Sequence, residues 1–253
     1  MINYLIEKRS DYMDKLLDAI FSEKKVVVIT GAGISTLSGI PDFRGKNGLY
    51  KQHSNTEWYL SKECLIEEPE EFYKFYKNNL IIEDIKPNIV HNTLAKLQEL
   101  GYIDYIITQN IDSLHSKAGS EKVIELHGNG EKFYCSKCKE EYDLNYYVNS
   151  GYKCKKCNGV IRPDIVLYGE PLKSNNKILA HKKIIEADIV VVFGSSLSVS
   201  TITNLIDEFI NINKKDNLII VNDGETYYDD YAIKYSDNLD TIFKKIKNIK
   251  VNN

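Results

Sequence analysis

The chain has 253 residues, room for one large domain or a large domain carrying a smaller one. Apolar residues make up 43%, charged residues 27%, and the formal net charge is -3, so no bulk charge argues for a nucleic-acid or membrane partner. Glu7, Lys8 and Arg9 leave no signal-peptide core, and apolar runs such as Val26-Val27-Val28-Ile29 fall far short of the ~20 residues that cross a bilayer. An intracellular, cytoplasmic protein is expected, where clustered cysteines favour a metal over disulfides. Of 33 basic residues only Arg9, Arg44 and Arg162 are arginine; genomic composition accounts for the bias, yet a site that still uses arginine needs its planar fork.

In chain order, Tyr4, Leu5, Met13, Leu16, Leu17 and Ile20 recur at helical spacing and predict a helix over 3–21. Short apolar runs predict strands at Lys25–Thr30, Tyr105–Asn110, Val123–His127, Ile189–Gly194 and Leu218–Asn222. Helical patterns lie between and around them over 88–100, closed by Gly101 as a C-cap, and over 176–187 and 238–248. Continuous apolar runs suit strands covered on both faces, and the alternation argues a doubly wound α/β fold with a parallel sheet. Two stretches interrupt it. Residues 45–87 are aromatic and charged with no clear strand, and residues 129–165 carry four cysteines. Both look like insertions that could pair as a smaller domain over one edge of the sheet.

The first strand runs into Gly31-Ala32-Gly33-Ile34-Ser35. Glycines there let backbone approach a pyrophosphate, though a plain strand-to-helix turn has the same look. Thr36 stands where a third fingerprint glycine would be, and Gly39-Ile40-Pro41 cuts the following helix short. A second loop, Pro41-Asp42-Phe43-Arg44-Gly45, therefore follows with a ring, a carboxylate and a guanidinium beside the presumed phosphate site. Core packing for Phe43 and a surface ion pair for Arg44 are the plain alternatives.

Strand 105–110 ends in Thr108-Gln109-Asn110-Ile111-Asp112, polar where open α/β sheets bind ligands. Capping of the next helix by Asp112 or Ser113 fits equally well. His127 closes the strand over 123–127 beside Gly128 and suits a general base, as it also suits a structural role. His115 competes with it, placed early in the next helix where it could face solvent.

Cys135-Ser-Lys-Cys138 and Cys154-Lys-Lys-Cys157 match the two-knuckle spacing of a tetrahedral zinc site. Four protein ligands leave no open position, so such a zinc is structural. The lysines around it are offset by Glu131, Glu140, Glu141, Asp143 and the thiolates, so the module is a poor match to a basic nucleic-acid patch. Cys64 has no partner in sequence and reads as a buried free thiol.

Taken together in this order, Gly31–Ser35, Ser38–Gly45, Thr108–Asp112, Leu126–Gly128, the cysteine pairs, Arg162–Glu170, Gly194–Val199 and Val221-Asn222 resemble the sirtuin family. The resemblance implies a Rossmann-like large domain (1–44, 88–128 and 166–253) and a small domain (45–87 and 129–165) built from a helical insertion and a four-cysteine zinc ribbon. NAD and an acyl-lysine peptide would bind between them. It implies that the acyl oxygen attacks the anomeric carbon of the nicotinamide ribose, nicotinamide leaves, and His127 activates a ribose hydroxyl. That hydroxyl would attack the imidate formed, and water would complete the reaction, giving free lysine, nicotinamide and O-acetyl-ADP-ribose. Position by position, Gly31, Ala32, Gly33, Ser35 and Thr36 would line the phosphate and ribose site. Asp42, Phe43 and Arg44 would form a mobile cofactor loop. Gln109 and Asn110 would hold the ribose, with Asn110 and Asp112 serving catalysis beside His127. Ile111 and Asp112 would take the carboxamide, and Gly194, Ser195, Ser196 and Asn222 the adenosine half. The peptide would add as a strand between Val166-Leu167-Tyr168-Gly169 and Leu197–Val199.

Ser200-Thr201-Ile202 departs from the family, which often has a proline nearby, and no adenine contact stands out among 231–236. Tyr73-Lys-Phe-Tyr76 takes the place of the Tyr-x-x-Arg pair of succinyl-removing members, so neutral acyl groups such as acetyl are expected. Mono-ADP-ribosyl transfer from the same NAD site is the rival reading; a nicotinamide dehydrogenase and a non-catalytic zinc module fit less of the chain.

Overall fold

The computed structural model describes residues 13, 15–45, 48–214 and 217–250. Six strands make one parallel sheet: β1 (Val26–Thr30), β2 (Tyr105–Thr108), β3 (Val123–Glu125), and, beyond an intervening small sheet, β7 (Ile189–Phe193), β8 (Leu218–Val221) and β9 (Ile233–Tyr235). Their order is β3-β2-β1-β7-β8-β9. From β1 the chain builds outward one way to β3 and then outward the other way from β7, so the order reverses between β1 and β7. That is the switch point of a Rossmann-like doubly wound sheet, where ligands sit beyond the carboxyl ends of the strands.

Strand pleating explains why the apolar runs are continuous. Val26 and Val28 enter one core with Leu94, Val191, Phe193 and Phe243. Val27 and Ile29 enter the other with Val190, Val192, Ile202 and Phe209. A period of two supplies both faces, and each fully buried Val, Ile or Phe contributes about 1.5–3 kcal/mol.

The expected helices at 88–100, 176–187 and 238–248 occur as Ile89–Glu99, Ser174–Glu186 and Leu239–Lys250. Asn88 caps the first, its Oδ1 accepting from Val90 N at 2.9 Å, and Gly101 (φ 83°) ends it. Of the helix expected over 3–21, residues 13 and 15–20 are helical, and most of the rest lies outside the described residues. Among the elements not anticipated, two belong to the layers of the large sheet. Helix Ser200–Phe209 does carry the signal, with Ile202, Leu205, Ile206 and Phe209 on one buried face. Strand β9 is three residues long, too short to show a period.

The smaller sheet is antiparallel, ordered β5-β4-β6 from β4 (Gly128–Cys135), β5 (Glu141–Tyr142) and β6 (Ile161–Ile165). Helix Pro69–Asn79 supplies Phe72, Phe75 and Tyr76 to a third core shared with this sheet and Tyr147. Rings dominate it: Phe133 stacks on Tyr147 at 4.3 Å and Tyr59 on Phe75 at 4.6 Å. Cys64 is buried here, and burial pushes its thiol up to about 11. Among the described residues no helix is long and apolar enough to cross a membrane.

His115 does not face solvent. It is buried, with Nε2 2.9 Å from Thr30 Oγ1, and its ring lies 5.1 Å from that of buried His91. Burial pushes His91 down to about 4 and His115 down to about 3. Both stay neutral where the unfolded chain, near 6.5, takes up protons, so stability is lost as pH falls below that value. At pH 5 the loss should be about 2 kcal/mol per histidine relative to pH 7. Urea unfolding should register it, and the His115→Gln variant should lose about half of the pH dependence.

Candidate active site

The switch point is closed by main chain. Gly31 N donates to Phe193 O at 3.1 Å, Gly33 N to Gly194 O at 2.9 Å and Gly194 N to Val221 O at 2.9 Å. A Cβ on Gly31 or Gly33 would stand 2.7 or 2.8 Å from Gly194 O, and one on Gly194 2.6 Å from Ile34 N. Gly194 also has φ +61°. The glycines read from sequence as a phosphate approach are thus first required by each other. After them, Ala32–Ser38 forms a short 3-10 helix that stops at Gly39 (φ 88°), as the proline two residues on demands.

Polar side chains extend outward from this contact. Asn110 Nδ2 donates to Gly31 O and to Ser35 Oγ, both at 3.1 Å. Gln109 Nε2 donates to Ser195 Oγ at 3.0 Å. The carbonyl of Gln109 lies 3.0 Å from His127 Nδ1 and can only accept, so Nδ1 carries the proton and Nε2 the lone pair. Thr201 Oγ1 lies 3.2 Å from that Nε2. Burial lowers the imidazole below its ordinary value, against a smaller opposing effect of the Gln109 bond, which keeps it neutral and able to take a proton near pH 7.

A cleft of about 1640 Å³ opens above these groups. It exceeds the ~300–1,000 Å³ usual for one small ligand. All the expected cofactor, catalytic and substrate residues line it except Ser35, Asp112 and Leu197. Ser35 is buried and donates to Asp112 Oδ2 at 2.6 Å, while Asp112 Oδ1 accepts from Leu114 N at 2.9 Å. Asp112 therefore caps the helix and braces the glycine loop from behind. Leu197 is buried in the second core. The cleft also takes in Ser236, Asp237 and Asn238, which lead into the last helix, and its first residue Leu239, for which the sequence held no chemical signal.

On the cofactor-loop side, Asp42 Oδ1 accepts from Gly45 N at 2.8 Å, Phe43 packs toward Tyr50, and Arg44 lies over the Tyr50 ring at 5.0 Å. The Tyr50 hydroxyl is hydrogen bonded to that of Tyr168 across the cleft. On the opposite wall Val166 N donates to His127 O at 2.9 Å. Arg162 holds the turn that follows. Nη1 and Nη2 grip Glu170 at 2.5 and 2.8 Å, Nη2 reaches Ile165 O at 2.7 Å, and Glu170 Oε2 accepts from Leu167 N at 3.0 Å. Burial raises the Glu170 carboxyl, but the arginine fork outweighs it and holds the group below its ordinary value. Tyr73 and Tyr76 do not line the cleft; they pack in the third core and donate their hydroxyls to Tyr147 O and Gly130 O.

The four cysteine Sγ atoms lie within 4.8 Å of one another, with Cys135–Cys157 at 3.5 Å and Cys138–Cys154 at 3.6 Å. A zinc tetrahedron with bonds near 2.3 Å requires sulfurs about 3.8 Å apart, and a disulfide about 2.05 Å. The cluster fits a metal.

Fold and site together define a Rossmann-like protein with a switch-point cleft, a strand-end histidine and a separate four-cysteine ribbon. The Sir2 family profile matches residues 31–201. A Staphylococcus epidermidis protein named NAD-dependent protein deacetylase is 43% identical over 242 residues, covering 93% of this chain and 97% of that one. A Thermotoga maritima protein of the same name is 43% identical, covering 91% and 94%. Among solved structures, a Sir2 protein with a deacetylated p53 peptide and 3'-O-acetyl ADP ribose aligns at TM-score 0.87 and 40% identity over 94% of this chain and 98% of that one. A Sir2 complex with p53 peptide and NAD+ aligns at 0.85 and 39%, over 95% and 99%. The chain belongs to the Sir2 family.

The main-chain contact makes a graded prediction. Gly194→Ala should cost at least about 2 kcal/mol in urea unfolding, from the left-handed backbone and the overlap with Ile34. Gly101→Ala, equally left-handed but with nothing within 4 Å, should cost about 1 kcal/mol. Equal losses would mean that the close approach is immaterial.

Proposed function

We propose that the chain removes acetyl and similar neutral acyl groups from protein lysines, with NAD as co-substrate. NAD would lie across residues 31–44, 109–112 and 194–196 and reach Asn222, and an acyl-lysine peptide would lie between 166–169 and 197–199. We propose the same division of the chain as the sequence suggested: 1–44, 88–128 and 166–253 as the NAD-binding domain, 45–87 and 129–165 as the small domain. The observation that carries the reading is the Gln109 carbonyl on His127 Nδ1, which turns the lone-pair nitrogen Nε2, in reach of Thr201 Oγ1, to the strand ends of the switch-point cleft. The volume of the cleft suits two ligands at once.

When bound, NAD supplies an anomeric carbon from which nicotinamide departs and a ribose hydroxyl that takes over the acyl group. The chain's own part is positional and acid–base. Gln109 and Asn110 orient the ribose, and Asp112 steadies the loop through Ser35. His127 accepts the ribose hydroxyl proton at Nε2. Phe43 and Arg44 cover the sugar and exclude water. Helix Pro69–Asn79 carries no arginine, and Tyr73 and Tyr76 lie outside the cleft, so a carboxylated acyl chain would find no bidentate partner on that helix, which favours uncharged groups.

Mass spectrometry of an acetyl-lysine peptide tests this. Acetyl loss should require NAD and yield nicotinamide and O-acetyl-ADP-ribose. His127→Ala should slow it by ~100-fold or more, and a succinyl peptide should react more slowly than the acetyl one. Because burial lowers the His127 pKa, the acid limb of kcat/KM should fall below about 6.5. NAD consumption without acyl loss would overturn the assignment.

The cysteine cluster we propose as a structural zinc site, held by Cys135, Cys138, Cys154 and Cys157. Elemental analysis should find one zinc per chain. Cys154→Ser should lower that content and loosen the Phe133–Tyr147 core by about 3 kcal/mol or more in unfolding experiments.

A further inference from the structure

Thr201 is the second residue of helix Ser200–Phe209 and lines the cleft. Its hydroxyl lies 3.2 Å from His127 Nε2, while the other ring nitrogen is held by the Gln109 carbonyl at 3.0 Å. In that tautomer Nε2 has a single in-plane lone pair, so Thr201 donates to it. The helix that presents the hydroxyl is rigidly seated. Ile202, Leu205, Ile206 and Phe209 are buried, and Ile202 N and Thr203 N both return to Val199 O. Thr203 spends its own hydroxyl on Ser200 O, whereas Thr201 turns its hydroxyl to the histidine.

We propose that Thr201 is a positioning residue for the reaction, holding the His127 ring in the plane in which Nε2 meets the ribose hydroxyl until that hydroxyl takes its place. This rests on the assignment of His127 as the base. A hydroxyl suits the task in both proton states. It donates to the neutral ring before reaction. Once Nε2 has taken the substrate proton, the same oxygen accepts from Nε2–H. A methyl in its place does neither, and the ring would then be anchored at one nitrogen and free to turn about that bond. Thr201 also occupies the direction from which any hydroxyl must approach the lone pair. Substrate entry therefore exchanges one donor for another at Nε2.

The test compares Thr201→Val and Thr201→Ser with the wild type by two readouts. The first is steady-state kinetics with acetyl-lysine peptide and NAD. Thr201→Val should lower kcat on the order of tenfold, a fraction of the whole general-base effect, with both KM values within about twofold, and Thr201→Ser should restore most of the loss. The second is nitrogen NMR of histidine-labelled, ligand-free protein, the His127 signals being assigned by their disappearance in His127→Ala. Wild type and Thr201→Ser should show Nδ1 protonated and the bare Nε2 signal displaced by its hydrogen bond, and Thr201→Val the same tautomer with Nε2 at the shift of an unbonded nitrogen. Unchanged kcat and signals in Thr201→Val would overturn the proposal, as would a serine variant no better than valine, which would reduce the residue to packing. Should wild type fail to deacetylate at all, the functional assignment falls, while the NMR comparison still decides whether Thr201 orients the ring.

Discussion

The contact of main chain on main chain between Gly31–Gly33 and Gly194 sets the site. Hydrophobic burial assembles the two cores around the sheet, but it is non-directional and cannot fix the gap between two loops to tenths of an ångström. The bonds from Gly31 to Phe193 and from Gly33 to Gly194 do so, at the point where the strand order reverses. From there each polar group is placed by the previous one. Gly31 O takes Asn110, Ser195 Oγ takes Gln109, the Gln109 carbonyl takes His127 Nδ1, and Thr201 meets Nε2. A shift of the glycine contact would pass along this chain to the imidazole.

Much of this was legible in the sequence, for identifiable reasons. Strands covered on both faces must be continuously apolar, so β1, β2, β7 and β8 declared themselves. The cysteine spacing encoded a cluster because two tight turns can bring four sulfurs together with little help from the rest of the chain. Strand β9 stayed hidden because three residues carry no period, and the lead-in to the last helix because Ser236–Leu239 reach the cleft by tertiary placement alone. His115 shows the same limit. Nothing in Leu114–Lys117 announces that its imidazole would be buried against Thr30, since that depends on a strand 85 residues earlier. Thr201 was visible only as an anomaly, because its partner His127 is 74 residues away.

The third core solves a different problem. Its buried members come from two separated stretches, 49–76 and 133–167, and neither stretch alone has enough aliphatic surface to fold around. Flat rings, stacked and edge-on, fill the space between a single long helix and a three-stranded sheet. Cys135 and Cys154 are themselves buried in that packing, and none of the four cysteines lines the cleft.

Arg162 closes the edge of this unit by gripping Glu170 and the Ile165 carbonyl, which shapes the 166–169 segment. In a chain whose basic residues are almost entirely lysine, the buried cation here is a guanidinium, the one such cation among the described residues. Acylation strips the charge from lysine amines and leaves guanidinium groups intact. The wall that would grip an acylated lysine is thus built with a cation that the same modification cannot erase. Its shape stays independent of how heavily the protein's own surface has been acylated.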